Sequence, residues 1–368
     1  MNIGVITFHY ALNQGAVLQA YALQTLLESW GHHVEFIDYR PHHTFCYKDF
    51  ICKSPLLLVQ KWRNQYFGAV YRNFNNEFNK VLHVGKYRYI TDNELRKDPP
   101  IFDLYITGSD QVWNFLQRID YQYVLDFVPN GKPKIAYAVS LGQCLIPVKL
   151  HEALKKALSS FRAISVREES GKDFISHLMA GSDIEIKQTL DPTLLIDRKY
   201  YESIMEPIKE SKPYTTSYIL SMLEDGHKHI LKYISAKVGG DLINLRNPDT
   251  CSFVHFAKNK IVTPYQFLSY IKNAEFVVCS SFHAVVFSLI FHKPFLVLVP
   301  MALKNKGGNK RVNSLLEPLG LCDRCMYDFD SRHIDKLMNC KLNWEQIDLS
   351  IREKVIISHN FLKKYLYE

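Results

Sequence analysis

Residues 276–300 read FVVCSSFHAVVFSLIFHKPFLVLVP. The first four, Phe276 to Cys279, form an apolar run suited to a strand buried on both faces. Ser280-Ser281-Phe282-His283 interrupts it. Residues 281–291 then follow as an apolar helix, and 295–300 as a second apolar strand. Strand, helix and strand in this order make a parallel βαβ unit, the building block of doubly wound α/β folds. The histidine is out of place for packing alone, because a core position at that handover would hold Leu or Val.

The same alternation runs along the rest of the chain. NIGVIT (2–7), HVEFID (33–38), DLYIT (103–107), KIAYAVS (134–140), AISVR (163–167) and IEIKQT (184–189) read as strands. Helices are expected at 15–30, closed by Gly31, at 148–160 and from Glu168. A second set opens with TTSYILSML (215–223) and DLINL (241–245), with helices at 226–238 and 264–273. KNKGGNKR (304–311) reads as a cationic loop before a helix that stops at Gly320. The expected architecture is α/β, with two facing Rossmann-like domains at 1–195 and 196–342. A C-terminal helix, 343–368, is expected to cross back to the first domain.

The chain of 368 residues is 47% hydrophobic and 22% charged, as in an ordinary globular protein. No run of 18 apolar residues suggests a membrane span, and the N-terminus reads as a first strand, not a signal peptide. A cytoplasmic protein is expected. Eight cysteines are scattered, and only Cys322 and Cys325 are closely spaced, a weak zinc signal, so neither metal nor cofactor is expected. The formal net charge is +8, and most of it lies in 40–97, with eleven Lys or Arg against four Asp or Glu. That stretch also carries Trp62, Tyr66, Phe67, Tyr71, Phe74 and Phe78. It is expected to be mostly helical between Pro55 and Lys80. Its basic and aromatic content suits either a packed amphipathic pair or peripheral contact with an anionic membrane surface or glycolipid. No nucleic-acid partner is expected.

Ligands of parallel α/β sheets collect at the carboxyl ends of strands. Six clusters fall there. Asn13-Gln14-Gly15 opens the first helix, where backbone N–H groups favour an anion or sugar oxygen; the GxGxxG dinucleotide pattern is absent. Ser109-Asp110-Gln111, with Trp113 and Asn114, is a dense set of sugar-type contacts. Arg167 stands where a strand stops and can take a carboxylate or phosphate. Asp191-Pro192-Thr193 offers a carboxyl group or a simple turn. Ser280, Ser281 and His283 form the fifth. Lys304, Lys306, Lys310 and Arg311 around Gly307-Gly308 form the sixth.

These motifs, ITGSDQVWN, VSLG, VREESG, LDPTLL and SFHA, with NQGAVLQAYAL at the start, together resemble the polysaccharide pyruvyl transferase family over roughly residues 3–320. GSDQVWN is the most specific of them. The resemblance implies a glycosyltransferase-B-like fold. It also implies transfer of the carbon skeleton of phosphoenolpyruvate onto two hydroxyls of one sugar, galactose or a hexosamine, as a cyclic ketal with release of phosphate. It implies that Arg167 and His283 handle phosphoenolpyruvate. Many members have Arg-Leu-His at the last motif; here Ser281 and Phe282 precede His283, as Phe does in some bacterial members. The missing cation is therefore expected from Lys310 or Arg311.

The chemistry suits the residues. Phosphoenolpyruvate needs converging cations and N–H donors. His283 is expected as acid or base, with Asp110 or Asp191 deprotonating the attacking hydroxyl. Ser280 and Ser281 are expected on phosphate, and Asn13, Gly15, Ser109, Asp110, Gln111, Trp113 and Asn114 on the acceptor sugar. The acceptor is expected to be a surface polysaccharide unit or its lipid-diphosphate-linked precursor. Two competing readings are a sugar-nucleotide glycosyltransferase of the same architecture and a non-catalytic glycan-binding module.

Overall fold

The computed structural model describes residues 1–41, 80–116, 118–142, 146–210, 213–220, 222–247 and 253–367. The chain divides into two compact units, Met1–Leu195 with Val355–Glu368, and Ile196–Lys354.

The first unit is built on strands β1 (Asn2–Ile6), β2 (His33–Tyr39), β3 (Val84–Tyr89), β4 (Leu104–Thr107), β5 (Lys134–Val139), β6 (Ala163–Val166) and β7 (Glu185–Gln188). They form one sheet in the order β3-β2-β1-β4-β5-β6-β7, every pair parallel. The central strands β4 and β5 are buried along their whole length, as expected of strands covered on both faces. Helices α1 (Gln14–Ser29), α2 (Asp92–Lys97), α3 (His151–Leu158) and α4 (Glu169–Leu178) make the crossovers. Buried Gln24 of α1 donates from Nε2 to the Val81 carbonyl at 2.9 Å and accepts from the His83 N–H at 2.8 Å, tying the lead-in to β3 onto the helix.

The second unit carries α5 (Arg198–Ser203), β8 (Tyr214–Tyr218), α6 (Asp225–Val238), β9 (Asp241–Arg246) and β10 (Lys258–Ile261). α7 (Pro264–Asn273), β11 (Phe276–Cys279), α8 (Phe282–Ile290) and β12 (Phe295–Leu298) follow. α9 (Lys310–Leu316), β13 (Cys325–Met326) and α10 (Ser331–Asn339) complete the unit. Its sheet runs β10-β9-β8-β11-β12-β13, again parallel. α11 (Trp344–Tyr367) starts in this unit, and its last turns belong to the first. There Lys364 Nζ and Tyr365 Oη both reach Glu185 Oε2, at 2.7 and 2.5 Å. Among the described residues no helix is long and apolar enough to cross a membrane.

Several boundaries differ from the sequence expectation. The strand expected over 215–223 ends at Tyr218, because Leu220 turns to meet Ser280. The expected loop 304–311 is partly helical: Met301–Lys306 is a 3₁₀ turn, and Lys310 and Arg311 enter the first turn of α9. The basic stretch 40–97 is not all insertion, since its last part supplies β3 and α2. The helix expected between Pro55 and Lys80 lies, but for Lys80, outside the described residues.

Candidate functional site

Each sheet reverses its winding once. In the first unit the reversal lies between β1 and β4, and in the second between β8 and β11. The crevice outside the carboxyl ends at such a switch point is where open α/β sheets take ligands.

In the first unit, β4 ends at Gly108, whose φ of +107° and crowding by the Tyr137 carbonyl, 2.3 Å from where a Cβ would stand, leave room for glycine only. Ser109 follows, fully buried. Its N–H donates to Gln19 Oε1 at 3.2 Å, its carbonyl accepts from Thr7 Oγ1 at 3.0 Å, and its Oγ donates to the Ala138 carbonyl at 2.7 Å. Ala138 sits at an irregularity in β5 with φ +45°, and its N–H is taken by Ser165 Oγ at 2.8 Å. Serine side chains thus satisfy backbone groups that the bulged strand withdraws from its ladder.

Arg167 follows β6 and is buried among three carboxyl groups. Nη1 is 2.7 Å from Asp191 Oδ2, Nε 3.2 Å from Glu168 Oε1, and Nη2 3.8 Å from Asp110 Oδ1. Burial alone would lower the arginine pKa; the charges of Glu168, Asp191 and Asp110 outweigh it and raise it further. Asp191 also accepts from the Thr193 N–H at 3.0 Å and from Thr193 Oγ1 at 2.6 Å, and Ser109 Oγ lies 3.2 Å away. Glu168 is 1% exposed, and its Oε2 has no hydrogen-bond partner among the described residues.

This arrangement corrects five expectations. Ser109 is fully buried and its hydroxyl is taken by the Ala138 carbonyl, so it does not reach the acceptor sugar. Asp191 is 1% exposed and saturated by Arg167 and Thr193, so it positions the arginine and does not reach a substrate hydroxyl. Arg167 faces three carboxyl groups, so its guanidinium is not presented to a further anion in this structure. Trp113 has no exposed face on which a sugar could stack. Its Nε1 donates to the Tyr123 carbonyl at 2.8 Å and its ring meets Phe161 edge-on. Asn13 caps α1, its Oδ1 accepting from the Gly15 and Ala16 N–H groups at 3.0 and 3.4 Å, so the amides expected to face a ligand are already engaged.

Asp110, Gln111 and Asn114 lie nearer the surface. Asp110 has φ +67°, and its carbonyl accepts from the Ser140 N–H at 2.8 Å. The side chains of Gln111 and Asn114 close on Gly142, at 2.9 and 3.0 Å from where a Cβ would stand. The absent side chain of Gly142, in VSLG, is what lets both amides converge.

In the second unit, Ser280 sits at the switch point. Its N–H donates to the Tyr218 carbonyl at 3.1 Å, and its Oγ accepts from the Leu220 N–H at 2.9 Å, a bond that joins the ends of β8 and β11. Ser281 is the N-cap residue of α8, buried and making no side-chain cap bond. His283 is in the first turn of α8, 6% exposed, its ring edge-on to Phe282 at 5.3 Å. No acidic residue stands in that turn, so no carboxylate of the helix's own first turn offsets its positive end. α9, which opens with Lys310 and Arg311, packs against α8.

Sequence reasoning missed one cluster at the end of β1. His9 Nε2 is 3.1 Å from Asp38 Oδ1, and its ring stacks near Phe36. Thr7-Phe8-His9 follows a strand, and that position was the available signal. Among the described residues no group of three or more His, Cys, Asp or Glu is arranged to hold a metal ion.

The model of one family, polysaccharide pyruvyl transferase, matches residues 13–300. No curated protein matches the chain. Among solved structures, the UDP-GlcNAc 2-epimerase from Neisseria meningitidis bound to UDP-GlcNAc is similar over 99% of this chain and 100% of its own, at 13% identity and a TM-score of 0.52. The UDP-N-acetylglucosamine 2-epimerase from Rickettsia bellii is similar over 99% and 95%, at 10% identity and a TM-score of 0.52. That likeness is one of fold: two Rossmann-like parallel α/β units of the glycosyltransferase-B-like class.

Proposed function

This chain belongs to the polysaccharide pyruvyl transferase family, and from that premise we propose that its donor is phosphoenolpyruvate and its product a cyclic pyruvate ketal on one sugar. The acceptor is a galactose or hexosamine unit of a surface polysaccharide, or its lipid-diphosphate-linked precursor at the inner face of the membrane. The observation that carries the reading is the switch point of the second sheet. There Ser281 and His283 stand at the N-terminus of α8, a setting that favours an anion.

The steps follow from the donor's chemistry. The methylene carbon of phosphoenolpyruvate takes a proton and becomes the methyl group. One sugar hydroxyl bonds to the neighbouring carbon and gives up its proton. The bond from that carbon to the phosphate oxygen breaks, and inorganic phosphate leaves. The second hydroxyl then bonds to the same carbon, loses its proton and closes the ketal. His283 supplies or relays the proton at the donor, and Ser280 and Ser281 line the phosphate end. Lys310 and Arg311, on the helix packed against α8, stand in for the family arginine whose position Ser281 occupies here. Asp110 takes the hydroxyl proton, while Gln111 and Asn114 hold neighbouring hydroxyls through their amides.

The test offers phosphoenolpyruvate with a panel of galactosides and hexosaminides and reads inorganic phosphate together with the mass of the acceptor. A gain of one pyruvate less one water, matched by released phosphate, is expected. UDP release from a sugar nucleotide, with no phosphate from phosphoenolpyruvate, would overturn the proposal in favour of glycosyl transfer.

A further inference from the structure

We propose that the opening beside Asp38, lined by Arg40, Lys86 and Arg88, is a binding site for a phosphate or diphosphate group. It lies at the edge of the first sheet, next to the His9–Asp38 pair and apart from the two switch points. The opening has a volume of about 300 Å³ and is completed by Leu82, Val84 and Gly85.

The β2–β3 pairing sets Arg88 directly across from Asp38. Its Nε lies 3.0 Å from Asp38 Oδ2, while Arg40 Nε lies 2.5 Å from Oδ1. One buried carboxylate therefore fixes two guanidinium groups by their Nε atoms, a grip that orients the rest of each planar fork. His9 holds the same carboxylate from behind at 3.1 Å. Burial alone would raise the pKa of Asp38; the hydrogen bond and charge of His9, then Arg40, outweigh it and keep the group well below the usual carboxylate range. The anchor thus stays charged.

Lys86 stands two residues before Arg88 on β3, within the stretch where the register with β2 shifts, and both line the opening. Lys86 is exposed and makes no ion pair among the described residues, and the Arg88 side chain is 54% exposed. Three cations therefore border a concavity that holds one carboxylate. An excess of two positive charges gathered around an opening attracts a multivalent anion, and the guanidinium fork fits phosphate oxygens best. A lysine on an edge strand also guards against strand pairing, but that duty needs neither the two arginines nor their shared anchor.

The site stands on this geometry alone. What carries the phosphate rests on the pyruvyl-transfer reading, in which the acceptor's diphosphate is the natural occupant. A membrane-lipid headgroup presents the same chemistry.

The test titrates inorganic diphosphate into the full chain and into K86A/R88A by calorimetry at low and high salt. Both substitutions are at exposed side chains, so the fold is expected to persist. The expected result is wild-type binding weakened about tenfold or more by the double substitution and by salt. H283A runs in parallel. Diphosphate binding that is lost in H283A but unchanged in K86A/R88A overturns the proposal, as does no wild-type binding up to about 10 mM. Phosphate release from phosphoenolpyruvate, measured on the same samples, tests the catalytic reading separately. Sedimentation with phosphatidylglycerol vesicles, against phosphatidylcholine vesicles, then separates the sources. Binding lost in K86A/R88A assigns the phosphate to lipid, and binding unchanged assigns it to the acceptor.

Discussion

Substituting Asp191 by alanine tests the reading of Asp191 as the residue that fixes Arg167. The two are 2.7 Å apart and both buried. At an effective dielectric of about 20, their attraction is about 6 kcal/mol, against about 4 kcal/mol for the 3.8 Å contact with Asp110. The net loss is smaller than the attraction. Arg167 keeps Glu168 and Asp110, and mutual repulsion among three carboxyl groups is relieved. Breaking a buried pair costs about 3–5 kcal/mol, and the low end, about 3 kcal/mol, applies here. The unit that unfolds comprises Met1–Leu195 with Val355–Glu368. For that size the melting temperature is expected to fall by about 6–12 °C. The assay is thermal unfolding of D191A, R167M and the double variant at neutral pH. A coupling of about 1 kcal/mol or more is expected, because the two residues share one interaction. Coupling within about 0.5 kcal/mol of zero would refute the reasoning, whatever the size of the single effects.

Three further outcomes are expected. His283→Asn should lower phosphate release from phosphoenolpyruvate by about 10²–10⁴-fold at saturating donor, with the melting temperature little changed; near wild-type release removes His283 from the proton path. Trp113→Ala should destabilise the first unit by about 3–5 kcal/mol as a large core truncation, while Trp113→Phe keeps the acceptor KM; a raised KM in folded Trp113→Phe would return the indole to the sugar site. His359 of α11 has its pKa lowered by burial first, and its Nε2 lies 3.2 Å from the Leu195 carbonyl. The unfolded ring therefore binds more protons below about pH 6.5, so the docking of the last turns of α11 is complete above that pH and weakens as pH falls through it. Protection factors over 355–367, with the intrinsic pH dependence of exchange divided out, should fall on acidification in the wild type and stay flat in His359→Phe.

The fold was legible where strands are apolar and continuous. Phe276–Cys279 and Pro264–Asn273 lie at the bounds their sequence suggests. What escaped was polar or short. β10 reads KNKI and β13 is two residues long, and edge strands need no apolar alternation because their burial is partial. β3 reads VGKYRY and was lost in a stretch notable for charge. At the site, the sequence located the strand ends but not which polar groups face each other. Arg167 and Asp191 are 24 residues apart and meet because β6 pairs with β7. Trp113 misled because its neighbours Asp110, Gln111 and Asn114 are polar; its own carbonyl partner, Tyr123, is fixed by a turn that spacing does not reveal.

The charge of the two strand-end sites argues for a division of labour. In the first unit one guanidinium is set against three carboxyl groups, one of them with a buried oxygen that has no hydrogen-bond partner among the described residues. A donor bearing both a carboxylate and a phosphate would add further negative charge to that cluster, at a cost that grows as water is excluded. A neutral sugar would not, and its hydroxyls can donate to the same oxygens. In the second unit the corresponding position is a helix N-terminus without an acidic first turn, packed against a helix that opens with Lys310 and Arg311. There an anion gains from the dipole. On this argument Arg167 serves the acceptor by holding Asp110 and its partners in place, and Arg167→Lys should disturb the acceptor KM more than the donor KM. Lysine keeps the charge but cannot reach Asp191, Glu168 and Asp110 from one rigid plane. Equal changes in both constants would place the guanidinium back on the donor.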